Sequence, residues 1–355
     1  MNSSQRNITV VGAGAIGGLI AARLARAASA ANASGATINV LARGAHLEAI
    51  RRDGLTILDD PESGARYTAR VNATNDAAAL GAQDLVFVCL KGQALVQAAA
   101  SLAPLVGPHT HVVSAMNGVP WWFLAESGGT RATSDANDNR HLESVDPGGA
   151  VTAALPPARA SGCVVHLSSS LAAPGVIRKG KGNTLIVGAA SPHATARAKE
   201  ACALLAQAGF DVQATGQIQH EIWAKLWGNM TMNPISALTR SSADVILDDP
   251  LTASLVKAVM AEARTIGEAL GIGLAMSIEE RNAITRKLGA FKTSMLQDVQ
   301  AGRTLEVEAL LGAPYELAQR VGVAAPALGM LYGLARQLDA NLEAARRSAA
   351  PGEAR

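Results

Sequence analysis

Short runs of β-branched and aliphatic residues alternate with amphipathic stretches through the first part of the chain, and the pattern changes after His220. Residues 8–11 (Ile-Thr-Val-Val) form an apolar run bounded by glycine, which predicts a short buried strand. An Ala/Leu/Arg helix is expected over 17–31, a second strand over 38–41, and a helix over 46–53 that stops at Gly54. Residues 55–58 and 67–71 predict a hairpin. The near-continuous apolar run 85–90 has the pattern of a strand covered on both faces. A helix over 93–102 and a strand over 111–114 follow. Strands and helices alternating at this length predict an α/β fold that begins with a Rossmann-type, doubly wound, mostly parallel sheet.

Gly, Ser, Asp, Asn and Pro dominate 125–159, which reads as a long loop or insertion. Residues 163–167, 175–178 and 184–187 predict antiparallel strands, the last two turned by Gly180-Lys181-Gly182-Asn183. A helix over 194–208 leads to a strand near 210–214. From His220 the apolar period is that of a helix and stays so, with helices expected over 221–232, 251–270, 278–289, 305–321 and 327–345. The organisation expected is a Rossmann-like domain over 1–216, a C-terminal all-helical domain over 217–345, and a disordered tail over 346–355.

Composition narrows the class. Hydrophobic residues make up 49% of the chain and aromatics only 3%, so the core must rest on Ala, Leu, Val and Ile. A net charge of +2 over 355 residues, with no Lys/Arg block, gives no basic surface, and no nucleic-acid partner is expected. Cys89, Cys163 and Cys202 are an odd, scattered set without a CxxC pair. That argues against a disulfide framework and a metal site and points to a cytoplasmic protein. Arg6 and the apolar stretch 8–22 imitate the start of a signal peptide, but a β-branched opening followed by glycines at fixed offsets points elsewhere. No other stretch approaches the ~20 apolar residues of a membrane span, so no membrane partner is expected.

Candidate chemistry begins at Gly12-Ala13-Gly14-Ala15-Ile16-Gly17, a G-x-G-x-x-G directly between strand and helix. Gly12 permits the tight turn, Gly14 lets backbone approach a pyrophosphate, and Gly17 lets helix pack on strand; Ala15 and Ile16 offer helix-terminal N–H groups to the anion. An NAD enzyme wants an acidic residue at the end of the second strand, to accept from the ribose 2′-OH. Here the chain reads Leu41-Ala42-Arg43-Gly44, and an arginine suits the 2′-phosphate of NADPH. Lys91 leaves the strand 85–90 at the carboxyl edge of the sheet and can add a second charge. In the helical half, Lys225, Asn229 and Asn233 recur at every fourth residue and stack on one helix face, beside Trp223, Leu226, Trp227 and Met230, which should be buried. Pro234 should end or kink that helix and aim the Asn233 amide.

These pieces, with Met116-Asn117-Gly118, Ser294-Met295-Leu296-Gln297-Asp298 and Glu306-Val307-Glu308, occur in an order that resembles the ketopantoate reductase (2-dehydropantoate 2-reductase) family over about 8–326. The resemblance implies reduction of 2-dehydropantoate to pantoate by NADPH, on the route to pantothenate and coenzyme A. It implies Lys225 as general acid, Asn229, Asn233 and Ser294 as substrate-binding residues, and Asn117 and Glu306 as residues near both cofactor and substrate. The partners implied are a small 2-keto acid and, through the helical domain, a second copy of the chain in a homodimer.

The sequence departs from the family at four places. The connection 125–159 is longer than usual, and Trp121-Trp122 in its approach either shape a larger pocket or pack beneath it. Residues 239–244 lack an asparagine that the family often shows for substrate, and Phe291 stands where some members carry a polar cofactor contact. Two other readings therefore remain. One is an opine or β-hydroxyacid type of dehydrogenase acting on a bulkier keto acid; the other is an NADPH-sensing protein without chemistry.

Overall fold

β1 (Arg6–Val11), α1 (Ala15–Ala30), β2 (Ala36–Leu41) and α2 (Gly44–Asp53) open a computed structural model that describes residues 6–30, 35–61, 64–124 and 141–349. The first half continues with β3 (Leu55–Asp60), β4 (Gly64–Ala69), β5 (Asn72–Thr74), β6 (Leu85–Val88), α3 (Gly92–Leu102) and β7 (His111–Ser114). After α4 (Ala150–Ala154) come β8 (Ala160–His166), β9 (Ser169–Ala173), β10 (Val176–Lys179), β11 (Thr184–Ala189), α5 (Thr195–Gln207) and β12 (Asp211–Thr215). The helical half comprises α6 (Ile218–Thr239), α7 (Ala243–Asp248), α8 (Pro250–Ala269), α9 (Ile278–Arg286), α10 (Ser294–Gln300), a π-helical turn (Glu308–Gly312), α11 (Ala313–Arg320) and α12 (Pro326–Ala349).

The chain divides into two compact units. One is formed by residues 1–116, 120–127 and 146–218, the other by 117–119, 128–145 and 219–355. The first unit holds an eight-stranded sheet in the order β12-β11-β8-β7-β6-β1-β2-β5. All neighbours from β5 to β8 run parallel, β8 and β11 are antiparallel, and β11 and β12 are parallel again. The central strands β1, β6 and β7 carry the runs of Ile, Val, Leu and Phe, and every residue of β6 and β7 is buried. That burial is what the unbroken apolar pattern requires, because helices lie on both faces of a parallel sheet.

A second sheet, β4-β3-β10-β9, packs in the same unit against α1. The hairpin expected from 55–58 and 67–71 is present in it, with Leu55 opposite Ala69 and Ile57 opposite Tyr67. The sheet itself was not legible from the pattern, and it overturns one pairing. β10 pairs with β3 and β9, whereas β11 pairs with β8 and β12, so residues 180–183 cross between sheets and do not turn a hairpin. The loop is held by residue 168 instead: Ser168 N–H donates to Lys181 O at 2.7 Å, and Gly180 N–H donates to Ser168 O at 2.8 Å. The two sheets are tied by a buried ion pair that the sequence did not suggest. Arg23 on α1 donates through Nε to Asp60 at the end of β3 at 2.9 Å, and through Nη1 to Asn183 Oδ1 and Gly209 O.

The structure bears on three other expectations. Residues 125–140 of the expected loop lie outside the described residues, but the rest of it holds two single 3-10 turns, Pro147–Gly149 and Pro157–Arg159, and α4 between them. Asp146 is fully buried there, and its carboxylate accepts the free N–H groups of Val151 (2.6 Å) and Thr152 (3.1 Å) at the start of α4. Trp121 and Trp122 are buried packing residues, donating to Leu155 O and Ser114 Oγ. The helix bearing Lys225 does not end at Pro234 but runs to Thr239. Met232, Ile235 and Ala237 are all buried around the proline, and packing on this scale outweighs one lost N–H donor.

In the helical unit α7 and α10 were missed, because six or seven residues are too few to show a period. The single helix expected over 305–321 starts only at Val307 and opens with the π-helical turn before α11. α12 extends into the expected tail as far as Ala349. No helix among the described residues is long and apolar enough to cross a membrane.

Candidate active site

The phosphate loop is built as its glycines require. Gly12 follows β1 at φ 89°, and a Cβ there would lie 2.7 Å from Leu90 Cδ2. Gly17 is buried, and a Cβ there would collide with the Gly12 carbonyl oxygen and stand only 2.8 Å from Cys89 Cβ. Gly14 is different: it is exposed, and nothing stands within 4 Å of where its Cβ would be. The chain thus closes tightly behind the loop and leaves its front open at the N-terminus of α1, where Ala15 and Ile16 begin the helix. A dinucleotide pyrophosphate fits that arrangement, since free N–H groups and the positive end of the helix dipole face the open side.

Two residues that sequence reasoning missed brace the loop from the same unit. His46 Nδ1 accepts the Gly175 N–H at 2.9 Å, so its proton sits on Nε2, which donates to Ala13 O at 2.6 Å. Ser169 Oγ on β9 donates to Ala15 O at 3.0 Å. Nothing in the sequence marks Ser169; His46 could have been suspected only from its place on α2, one turn beyond Arg43.

Arg43 lies two residues beyond β2 and is exposed, and its side chain has no hydrogen-bond or ion-pair partner among the described residues. It is the N-cap residue of α2 and gives that helix no side-chain cap, while Gly44 leaves open space where a side chain would stand. An uncapped helix start beside an unpaired guanidinium suits a phosphate dianion. Lys91 is the half-buried N-cap residue of α3, three residues past the end of β6.

The second unit carries the titratable centre. Trp223 Nε1 donates to Ala263 O (3.1 Å) and Trp227 Nε1 to Met260 O (2.8 Å), which pins α6 to α8. Leu226 and Met230 are buried beside them. Lys225 lies about half a turn of α6 away from Trp227, so the indoles fix which way the lysine row faces. Lys225 Nζ donates to Asn117 Oδ1 at 3.0 Å, and Asn117 Nδ2 points at Glu306 Oε2 at 3.5 Å. The amide can sit only one way round, because an ammonium only donates and a carboxylate only accepts. Residues 117–119 pack within this unit, which is how an asparagine three positions past β7 reaches the lysine.

Asn229 and Asn233 follow Lys225 at one-turn intervals on α6. Asn233 is only 6% exposed, yet neither amide has a side-chain hydrogen bond among the described residues. Neither amide is among the fully buried polar atoms, so both remain open to a hydrogen-bonding ligand. Ser294 is the exposed first residue of α10, and no hydrogen bond joins it to Lys225, Asn117 or Glu306. Phe291 is 47% exposed just before that helix. The structure therefore brings together Lys225, Asn117 and Glu306, aligns Asn229 and Asn233 with them along α6, and leaves Ser294 outside the hydrogen-bonded cluster.

Comparison with known proteins places this architecture. The family model described as Ketopantoate reductase PanE/ApbA matches residues 8–120, and its C-terminal counterpart matches 217–339. A 2-dehydropantoate 2-reductase from Mesorhizobium japonicum is 40% identical over 331 residues, covering 93% of this chain and 97% of that protein. A crystal structure of a candidate ketopantoate reductase from Ralstonia solanacearum MolK2 is 46% identical with a TM-score of 0.85, covering 96% of this chain and 99% of that one. D-mandelate dehydrogenase in its ternary structure with NADH and anilino(oxo)acetate shares the fold at 18% identity and a TM-score of 0.76, over 95% of this chain and 99% of that one. With both family models matched and a relative of this identity over nearly its whole length, the chain belongs to the ketopantoate reductase family.

Proposed function

We propose that this chain is an NADPH-dependent reductase of a 2-keto acid, 2-dehydropantoate foremost, forming pantoate for pantothenate and coenzyme A synthesis. The observation that carries the proposal is the row Lys225–Asn117–Glu306, continued along α6 by two asparagines whose amides have no partner among the described residues. The unit with the eight-stranded sheet would be the cofactor domain and the helical unit the substrate and catalytic domain.

Gly12, Gly14 and Gly17 would cradle the pyrophosphate against the N–H groups of Ala15 and Ile16, with Arg43 and Lys91 supplying positive charge. When bound, NADPH supplies a hydride to the ketone carbon. The Lys225 ammonium would donate a hydrogen bond to the ketone oxygen and pass it a proton as negative charge develops there. Lysine is then left neutral and takes its next proton from water. Asn117 holds Nζ by its Oδ1 and is itself oriented by the Glu306 carboxylate, so Glu306 would act on Lys225 through that amide. Asn229, Asn233 and Ser294 would hydrogen-bond the keto acid, and the two α6 amides would thereby gain the partners they lack.

A second reading, a bulkier keto acid, draws support from Phe291, an exposed aromatic ring three residues before Ser294. Oxidation of NADPH against a panel of 2-keto acids tests both. Turnover of 2-dehydropantoate above the others supports the first reading; turnover of bulky keto acids alone supports the second. Silence across the panel contradicts both.

Two finer features belong to the same proposal. A homodimer through the helical unit would cover Met330 and Leu334, which stand one turn apart on α12 at 64% and 57% exposure; sedimentation of a Leu334→Asp variant checks it. A cytoplasmic location is supported by three unbridged cysteines.

A further inference from the structure

The turn Glu308–Gly312 is π-helical, and the irregularity has a consequence for Asn117. The Ala313 N–H, which a regular helix would give to Ala309 O, goes instead to Glu308 O. The Ala309 carbonyl is thereby released from its helix. It accepts the Val119 N–H at 2.9 Å. Gly118 makes the approach possible: its φ is +80°, and a Cβ there would stand 2.6 Å from the Ala309 carbonyl carbon. The segment bearing Asn117 is thus docked on a carbonyl that the π turn sets free.

Something must hold the turn in this less favourable geometry. Glu308 and Gly312, four residues apart, face each other across it, and the Glu308 carboxylate occupies the space that a Gly312 side chain would fill. Tyr332 Oη on α12 donates to that carboxylate at 2.6 Å, and a Gly312 Cβ would also come within 3.0 Å of the same phenol oxygen. Burial first, and the bond to Glu308 second, raise the Tyr332 phenol above its usual range, so it stays a donor. The Arg336 guanidinium lies 5.5 Å over the ring and Tyr315 packs at 5.9 Å, which fixes the phenol's direction.

We propose that Glu308 and Tyr332 are positioning residues for the reduction: their hydrogen bond holds the π turn, the turn's Ala309 carbonyl holds residues 117–119, and Asn117 so placed sets the Lys225 ammonium. Neither residue touches Lys225 in this scheme; both act through Asn117. The proposal rests on Lys225 being the proton donor, and its test must separate the two claims.

Full-length Tyr332→Phe, Glu308→Ala, Glu308→Gln and, alongside, Lys225→Ala are compared for kcat, KM and the alkaline limb of the kcat–pH profile. NADPH binding is followed separately by the cofactor's fluorescence. Tyr332→Phe and Glu308→Ala are expected to lower kcat roughly tenfold, the size of one lost charge-assisted hydrogen bond. NADPH binding should stay within about twofold, because these variants leave the phosphate loop intact. The alkaline limb moves to lower pH, since an ammonium that loses its accepting oxygen gives up its proton more readily. Glu308→Gln retains an acceptor for Tyr332 and is expected to recover most of the rate. Wild-type kcat and an unmoved limb in Tyr332→Phe and Glu308→Ala overturn the proposal, as does a rate loss that Glu308→Gln fails to recover. If Lys225→Ala itself keeps its rate, the underlying reading falls instead.

Discussion

Lys225 Nζ donates to Asn117 Oδ1 at 3.0 Å, so the ammonium on α6 is held by an amide 108 residues earlier in the chain. The contact needs both halves of the sequence: β7 must deliver Asn117 to its end, and the helical unit must bind residues 117–119 before the chain returns to the first unit at Pro120.

In the proposed function, Arg43 governs the choice of cofactor. Its guanidinium is exposed and unpaired at an uncapped helix start, so Arg43→Ala should raise the KM for NADPH about tenfold or more and leave NADH within about twofold. Equal effects on the two cofactors, measured by initial rates, contradict a 2′-phosphate contact.

Gly14 and Gly17 should separate binding from folding. A Gly17→Ala methyl has nowhere to go against the Gly12 carbonyl and Cys89, so the melting temperature should fall. Gly14→Ala meets no protein atom, so it should melt like wild type while losing NADPH affinity in a fluorescence titration. Unchanged NADPH affinity in Gly14→Ala argues against the open front of the loop as the pyrophosphate site.

The buried pair Arg23–Asp60 predicts a large asymmetry. Asp60→Ala leaves an uncompensated guanidinium inside the first unit and should destabilise it by about 3–5 kcal/mol. Replacing both partners with apolar residues, as in Arg23→Met with Asp60→Leu, should recover much of that loss in urea unfolding. A double variant no more stable than Asp60→Ala goes against this account.

How much of this was legible beforehand follows from what each feature needs. β6 and β7 announce themselves as unbroken apolar runs, and the G-x-G-x-x-G loop with Arg43 is local in sequence, so sheet, phosphate loop and the basic end of β2 can all be read directly. The face of α6 follows from its period and from the buried Trp223 and Trp227. The second sheet could not be read, because β9 is almost wholly exposed and shows no alternation. The crossing at 180–183 looked like a hairpin because local glycine chemistry cannot tell which strands its neighbours will pair with. The π turn is equally silent: it depends on Tyr332 reaching Glu308 from another helix. Asp146, reading as one polar residue in a loop, is a buried cap only because α4 forms behind it.

Glu316 gives a pH-dependent prediction. Burial alone would raise its carboxyl, but the N–H and hydroxyl of Ser144, the N–H of Glu143 and the Arg320 guanidinium together hold it below its usual range. A depressed folded value means that the stabilisation is present above the unfolded value and is lost as pH falls through the folded one. Glu316→Gln should therefore lower stability near neutral pH by about 1–3 kcal/mol, and the gap to wild type should close on acidification. A gap that widens toward acid contradicts the assignment.

The central claim is that Lys225 delivers the proton to the reduced ketone. The direct measurement is kcat for NADPH oxidation with 2-dehydropantoate in Lys225→Ala, beside NADPH binding followed by fluorescence. A fall in kcat of about 10²-fold or more with NADPH affinity retained is the predicted result. Unchanged kcat would remove Lys225 from the mechanism and with it the role given to Asn117 and Glu306.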